Sequence, residues 1–283
     1  MVKNFKTKIV GILNLTPDSF SDGGKYFDEK EALIHLDKML NSGVDIVDIG
    51  AESTRPNSQI LSAQQEIDRL KNILPKLISA INNFNKLHHK NIQASIDSYH
   101  IETIIFAHKM GVEIINDVSS LIDEKIIDYI AKNNLTAILM HNLAIHSNPD
   151  LIVNRDLNVV EEIINWAHHK IDFLTSRKIK KSQLIFDPGI GFAKNSTQSL
   201  RILKNINAFQ VLDLPIYVGH SKKSFLDALN IPSQPKLDRT AKTLIISQYL
   251  AQKKVDFLRV HDVKENIEAI TDKKIEEEFF NQF

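Results

Sequence analysis

Short runs of β-branched and other apolar residues recur along the chain at 8–13, 44–49, 92–96, 112–115, 136–140, 184–186, 214–218 and 256–260. Most are continuous rather than alternating, the pattern of strands covered on both faces. Between them the apolar positions shift to helical spacing. Leu33, Leu36 and Leu40 share one face behind Asp28, a residue suited to open a helix. Ser62 and Gln65 form a capping-box pair ahead of Ile67, Leu70, Leu74, Leu77 and Ile81. Pro75 falls inside that run and predicts a kink. Further helices fit 99–110, 123–133, 156–178, 195–205, 238–252 and 262–271.

Eight strands, each followed by a helix, in 283 residues predict a (β/α)8 barrel, the TIM-barrel arrangement. An open doubly wound sheet is the alternative. It is disfavoured because neither GxGxxG nor GxxxxGK[ST] occurs. No sequence repeat, low-complexity segment or linker marks a boundary, so residues 1–283 read as a single domain. The charged and aromatic tail, residues 275–283, is left unassigned.

Composition narrows the function. With 43% hydrophobic and 25% charged residues the chain is ordinary globular material. Its formal net charge of zero gives no electrostatic footprint for nucleic acid. The absence of cysteine removes disulfides, thiolate catalysis and cysteine-based metal sites, and fits a reducing, cytoplasmic setting. The apolar stretch 9–15 follows Lys3, Lys6 and Lys8. It is too short to span a membrane, contains Asn14 and has no small-residue cleavage site, so it reads as neither a span nor a signal peptide.

Glycine is scarce, with 9 in the chain. Gly43 and Gly111 close helical patterns; the other seven lie at or near the C-terminal ends of the strands. Arg55 and Arg259 stand just after or at the end of strands in a chain whose cations are mostly lysine.

In a barrel the active site is built at the C-terminal strand ends. Strand 1 is followed by Asn14 and the segment LTPDSFSDGG, strand 2 by GAESTRP, and strands 3 and 4 by Asp97-Ser98 and Asn116-Asp117. Strand 5 ends in Met140-His141 and strand 6 in DPGIGF. Strand 7 ends in GHSKKS and strand 8 in RVHD. Asp97, Asn116 and Asp187 place two carboxylates and an amide at these strand ends, groups that are costly to bury without a polar partner. Asp97 and Asn116 could instead cap the following segments, and Asp187, before Pro-Gly, could serve its turn. His141, His220, His88 and His89 lack metal-ligand spacing and read as structural or surface residues.

Taken in order, these segments resemble the dihydropteroate synthase family over nearly the whole chain. The resemblance implies a barrel, usually dimeric. It implies that a pterin diphosphate is joined to 4-aminobenzoate, releasing pyrophosphate and giving 7,8-dihydropteroate for folate synthesis. The pterin would be held by Asp97, Asn116, Met140, Asp187 and Lys223. The diphosphate would be held by Asn14, Thr54, Arg55, Arg259 and His261, with magnesium on Asn14. The aminobenzoate pocket would comprise Phe20, Pro56, Phe192 and Ser224. Catalysis would be ionisation-first, with Asp22, then Asp18, placed to stabilise a methylene cation. Lys223 and Asn14 complete the catalytic set, and the segment carrying both aspartates would act as a lid.

Two departures from the family pattern stand out. Lys222 replaces the usual arginine, and Ala193 replaces a common glycine, so either its φ is negative or the loop shape differs. Three alternatives remain: a related barrel passing methyl groups from a methylated folate to a corrinoid protein, a pterin-binding paralogue without catalysis, and an interaction barrel. The first has no diphosphate to bind, which leaves the first loop and RVHDV without purpose. The intact Asn14, Asp97, Asp187, Lys223, Arg259 and His261 weigh against the second, and the glycine placement against the third.

Overall fold

The structure, a computed structural model, describes residues 6–16, 29–53, 59–145, 151–229 and 236–272. The continuous apolar runs form eight strands: β1 (Lys8–Asn14), β2 (Ile46–Gly50), β3 (Gln93–Asp97), β4 (Ile114–Asp117), β5 (Thr136–Met140), β6 (Leu184–Asp187), β7 (Tyr217–Val218) and β8 (Phe257–Val260). They pair in the order β6-β5-β4-β3-β2-β1-β8-β7, every pair parallel. The two ends of that order meet at a parallel bridge between Phe186 and Ile216, where Phe186 N–H donates to Pro215 C=O at 2.9 Å. The sheet therefore curls into a nearly closed barrel, and the open-sheet alternative falls.

The helices are α1 (Glu29–Ser42), α2 (Ala63–Leu70), α3 (Leu74–His88), α4 (Ile101–Lys109), α5 (Glu124–Asn133), α6 (Val159–Ser176), α7 (Ser196–Lys204), α8 (Arg239–Gln252) and α9 (Val263–Thr271). The capping box forms as expected: Ser62 Oγ accepts from Gln65 N–H and Gln65 Oε1 accepts from Ser62 N–H. The expected kink at Pro75 is instead a break. The chain ends α2 at Leu70 and restarts at Leu74, which places Pro75 in the first turn of α3. There its missing N–H has no intrahelical bond to lose. Asp28 lies outside the described residues. Among the described residues, no helix is long and apolar enough to cross a membrane.

The period-two alternation of the strands sorts the barrel interior into layers. Val10, Ile46, Ile114, Ile138, Ile185, Tyr217 and Phe257 pack together as an interior floor. Two residues further along the same strands stand Ile12, Asp48, Asn116, Met140, Asp187, Gly219 and Arg259. An apolar plug thus carries a mostly polar layer at the C-terminal end. The outward-facing strand residues, among them Val47, Ile49, Ile115, Leu139, Phe186 and Leu258, bury against the helices.

Candidate active site

Three strands converge on one guanidinium. Arg259 Nε donates to Asp48 Oδ2 at 2.6 Å, and Nη2 donates to Asp97 Oδ2 at 2.7 Å. Asp48 is fully buried; it also accepts from Asn116 Nδ2 at 3.0 Å and from the Ser95 hydroxyl. Burial raises the Asp97 pKa to about 7; Arg259 opposes that rise and the like charge of Asp48 adds to it. Gly50 lets the strand ends approach. A Cβ there would lie 3.3 Å from Asp97 Cβ and 3.6 Å from Asn14 Oδ1. The half-buried Asn14 amide therefore sits at the rim beside Asp97.

The structure thus brings Asp97, Asn116 and Arg259 into one network, in which Asp48 accepts from both Arg259 and Asn116. Sequence reasoning passed over Asp48 because it lies within an apolar run. A carboxylate at an inward position of an otherwise buried strand was the available signal.

The opposite wall comes from β6 and the segments after β6 and β7. Asp187 is buried, and its Oδ1 accepts from Gly189 N–H at 2.7 Å. The turn role is real, and it engages one oxygen of the two. Burial raises the Asp187 pKa, with Lys223 as the main opposing charge. Gly189 has φ +68°, and a Cβ on it would come within 2.0 Å of His141 O, so no other residue fits that turn.

Lys223 Nζ donates to Ile190 C=O at 2.5 Å and lies 4.4 Å from the centre of the Phe192 ring. Burial lowers its pKa to about 8, against the attraction of Asp187. At Gly219 a Cβ would find its nearest atoms in Arg259 Cβ and Cδ at 3.8 Å and Lys223 Nζ at 3.9 Å. The glycine leaves the two cations room above β7.

Met140 is buried in the inward layer. Phe192 is half-buried, and Ser224 is exposed at the start of a short 3-10 turn, Ser224–Ala228. His261 is half-buried, with Nδ1 3.0 Å from Ser221 Oγ. Ala193 adopts φ +49°, so the loop keeps the left-handed turn and the alanine bears the strain. Lys222 pairs with Asp262 at 2.7 Å, where both side chains are partly exposed. Asp18, Phe20, Asp22, Thr54, Arg55 and Pro56 lie outside the described residues.

One buried cation was not anticipated. Lys194 Nζ bonds to His141 Nδ1 at 2.9 Å, to His141 C=O at 3.2 Å and to Phe192 C=O at 2.9 Å. Burial lowers its pKa to about 7, and burial together with the lysine charge keeps His141 neutral, so its Nδ1 can accept. The His141 ring meets Trp166 edge-on at 4.8 Å. This cluster ties the end of β5 to the loop carrying Phe192. His220 is likewise buried, with Nε2 2.8 Å from Ser247 Oγ, while His88 and His89 are exposed.

Residues 10–261 match the pterin-binding enzyme family. A dihydropteroate synthase of Clostridium beijerinckii is 36% identical over 266 residues, covering 93% of this chain and 92% of the relative. The crystal structure of the Anaplasma phagocytophilum dihydropteroate synthase, with bound 6-hydroxymethylpterin-monophosphate, has a TM-score of 0.81 and 37% identity; 94% of this chain and 97% of that one are covered. The Xanthomonas albilineans dihydropteroate synthase in complex with 7,8-dihydropteroate has a TM-score of 0.75 and 28% identity, covering 94% and 92%.

Proposed function

The chain belongs to the pterin-binding enzyme family and groups with its dihydropteroate synthases, transferases of folate biosynthesis, and from that premise we propose how its residues carry the reaction. The pterin lies on the polar layer above the barrel floor. Asp97, Asn116 and Asp187 meet its ring donors and acceptors, Lys223 meets its carbonyl side, and Met140 packs on its face. The observation that carries this reading is the convergence of three buried or half-buried carboxylates, one amide and two cations on that layer. Such a charge-rich layer is costly without a polar ligand to use it.

The diphosphate points to the rim, toward Asn14, Thr54, Arg55, Arg259 and His261. The Asn14 amide oxygen at the end of β1 is a hard donor that would hold a magnesium ion beside the substrate diphosphate. Among the described residues, no group of three or more His, Asp or Glu side chains is placed to hold a metal ion. A magnesium ion held at Asn14 would supply the positive charge that stabilises a leaving diphosphate.

The methylene C–O bond breaks with its electron pair leaving on diphosphate. Asp22, with Asp18 as second choice, stabilises the cation that remains. The nitrogen of 4-aminobenzoate, held by Phe20, Pro56, Phe192 and Ser224, attacks that carbon and loses its proton. The protein works as a cytoplasmic homodimer, which light scattering of the purified chain checks.

One assay separates this reading from its rivals: turnover with dihydropterin diphosphate and 4-aminobenzoate, reading pyrophosphate. Release that requires both substrates and magnesium supports it. Pterin binding without release identifies a paralogue. Methyl transfer from a methylated folate identifies the corrinoid-linked alternative.

A further inference from the structure

Tyr217 breaks the apolar character of the barrel floor. The rest of that layer is Val10, Ile46, Ile114, Ile138, Ile185 and Phe257. Tyr217 is 1% exposed, and its hydroxyl finds no hydrogen-bond partner among the described residues. An unpaired hydroxyl at such depth is costly, and phenylalanine would fill nearly the same space without that cost. Packing therefore accounts for the ring, which lies 6.2 Å from the Phe257 ring, and leaves the oxygen unexplained.

The surroundings of that oxygen belong to the active site. The next inward position on the same stretch of chain is Gly219, so β7 places no side chain above the tyrosine ring. The nearest atoms to a Cβ at Gly219 belong to Arg259 and Lys223. Burial raises the phenol pKa far enough to keep it neutral, and the charged groups that act on it are Asp48, Arg259, Asp187 and Asp97. Tyr217 thus sits one inward step below the polar layer, and its hydroxyl lies within the field of that layer's charges. A phenol both donates and accepts, so it can pair with either a ring N–H or a ring nitrogen.

We propose that the Tyr217 hydroxyl is a further pterin-binding group, which hydrogen-bonds, directly or through one water, to the nitrogen-rich edge of the ring between Asp97 and Asp187. The proposal rests on the pterin-binding reading above. It makes the site one polar contact deeper than its strand-end motifs, and it places that contact on the barrel floor.

The test is Tyr217→Phe. Binding of oxidised 6-hydroxymethylpterin to the full chain is measured by calorimetry, beside a thermal melt without ligand. Loss of one hydrogen bond to the ligand lowers affinity roughly fivefold. The KM for the pterin diphosphate should rise with it, while the KM for 4-aminobenzoate stays constant. Without ligand the variant should melt at or above the wild type, because an unpaired hydroxyl has been removed. Unchanged pterin affinity overturns the proposal; if the melting temperature also drops, the hydroxyl serves the fold through internal water. Failure of the wild-type protein to bind the pterin removes instead the reading on which the proposal stands.

Discussion

Replacing Asp187 with asparagine separates the two duties of that carboxylate. Its Oδ1 accepts from Gly189 N–H at 2.7 Å, and an asparagine carbonyl oxygen can keep that bond. The amide NH2 then occupies the place of Oδ2 and meets the pterin N–H groups donor against donor. One charge-assisted hydrogen bond to the ligand is lost, about 1.5–3 kcal/mol, and the mismatch adds to it. Since about 1.4 kcal/mol is a factor of ten, the affinity for a non-reactive pterin should fall at least about tenfold.

Stability without ligand should move little, by about 1 kcal/mol or less. The turn bond survives, and the lost attraction to Lys223 is offset because burial already disfavours the Asp187 charge. For a domain of this size that is a melting shift of roughly 2–4 °C at most. Calorimetric titration of oxidised 6-hydroxymethylpterin, with a melt of each protein, reads both quantities. A large drop in melting temperature with unchanged affinity would refute the reasoning and leave Asp187 as a turn residue only.

Other perturbations read other parts of the site. Asp48→Ala strips Arg259 and Asn116 of their common acceptor and should cost about 3–5 kcal/mol in denaturant unfolding. Asp48→Asn should cost less, because its carbonyl can keep both bonds while its NH2 faces a Ser95 hydroxyl able to turn and accept; equal losses for the two variants would argue against this geometry. Pterin affinity should peak in a narrow pH window. Below about 7 a proton must leave Asp97 before it can accept from the ligand, so affinity falls as pH falls. Above about 8 Lys223 loses the proton it donates, so affinity falls as pH rises; a flat profile from pH 6 to 9 in calorimetry contradicts both assignments. Lys194→Met releases the Phe192 carbonyl and His141, with an expected loss of about 1–3 kcal/mol. If Phe192 lines the aminobenzoate pocket as proposed, steady-state kinetics should show the KM for 4-aminobenzoate rising more than that for the pterin diphosphate.

The amino-acid sequence by itself determined the barrel and the strand-end placement of its candidate site residues. Continuous apolar runs mark strands covered on both faces because burial selects for side-chain character at every position, and this can be read locally. The capping pair Ser62 and Gln65 and the strand-end position of Asn14, Asp97, Asn116, Asp187, Lys223 and Arg259 are legible for the same reason. Even Pro75 gave the correct punctuation, although not whether it would kink a helix or open a new one; that depended on where α2 stopped packing.

Tertiary structure decided which side chains meet. Asp48 and Asp97 reach Arg259 from separations of 211 and 162 residues, and only closure of the barrel and its register bring them within hydrogen-bond distance. The same closure turned Asp48 from one polar letter in an apolar run into the acceptor at the centre of the site. It gave one Asp187 oxygen to the turn at Gly189, set Lys194 against His141, and buried the Tyr217 hydroxyl without a partner among the described residues. Burial and periodicity act along the chain and leave their trace in it; charge pairing in a closed barrel acts across the chain, where local pattern carries no record of the partner.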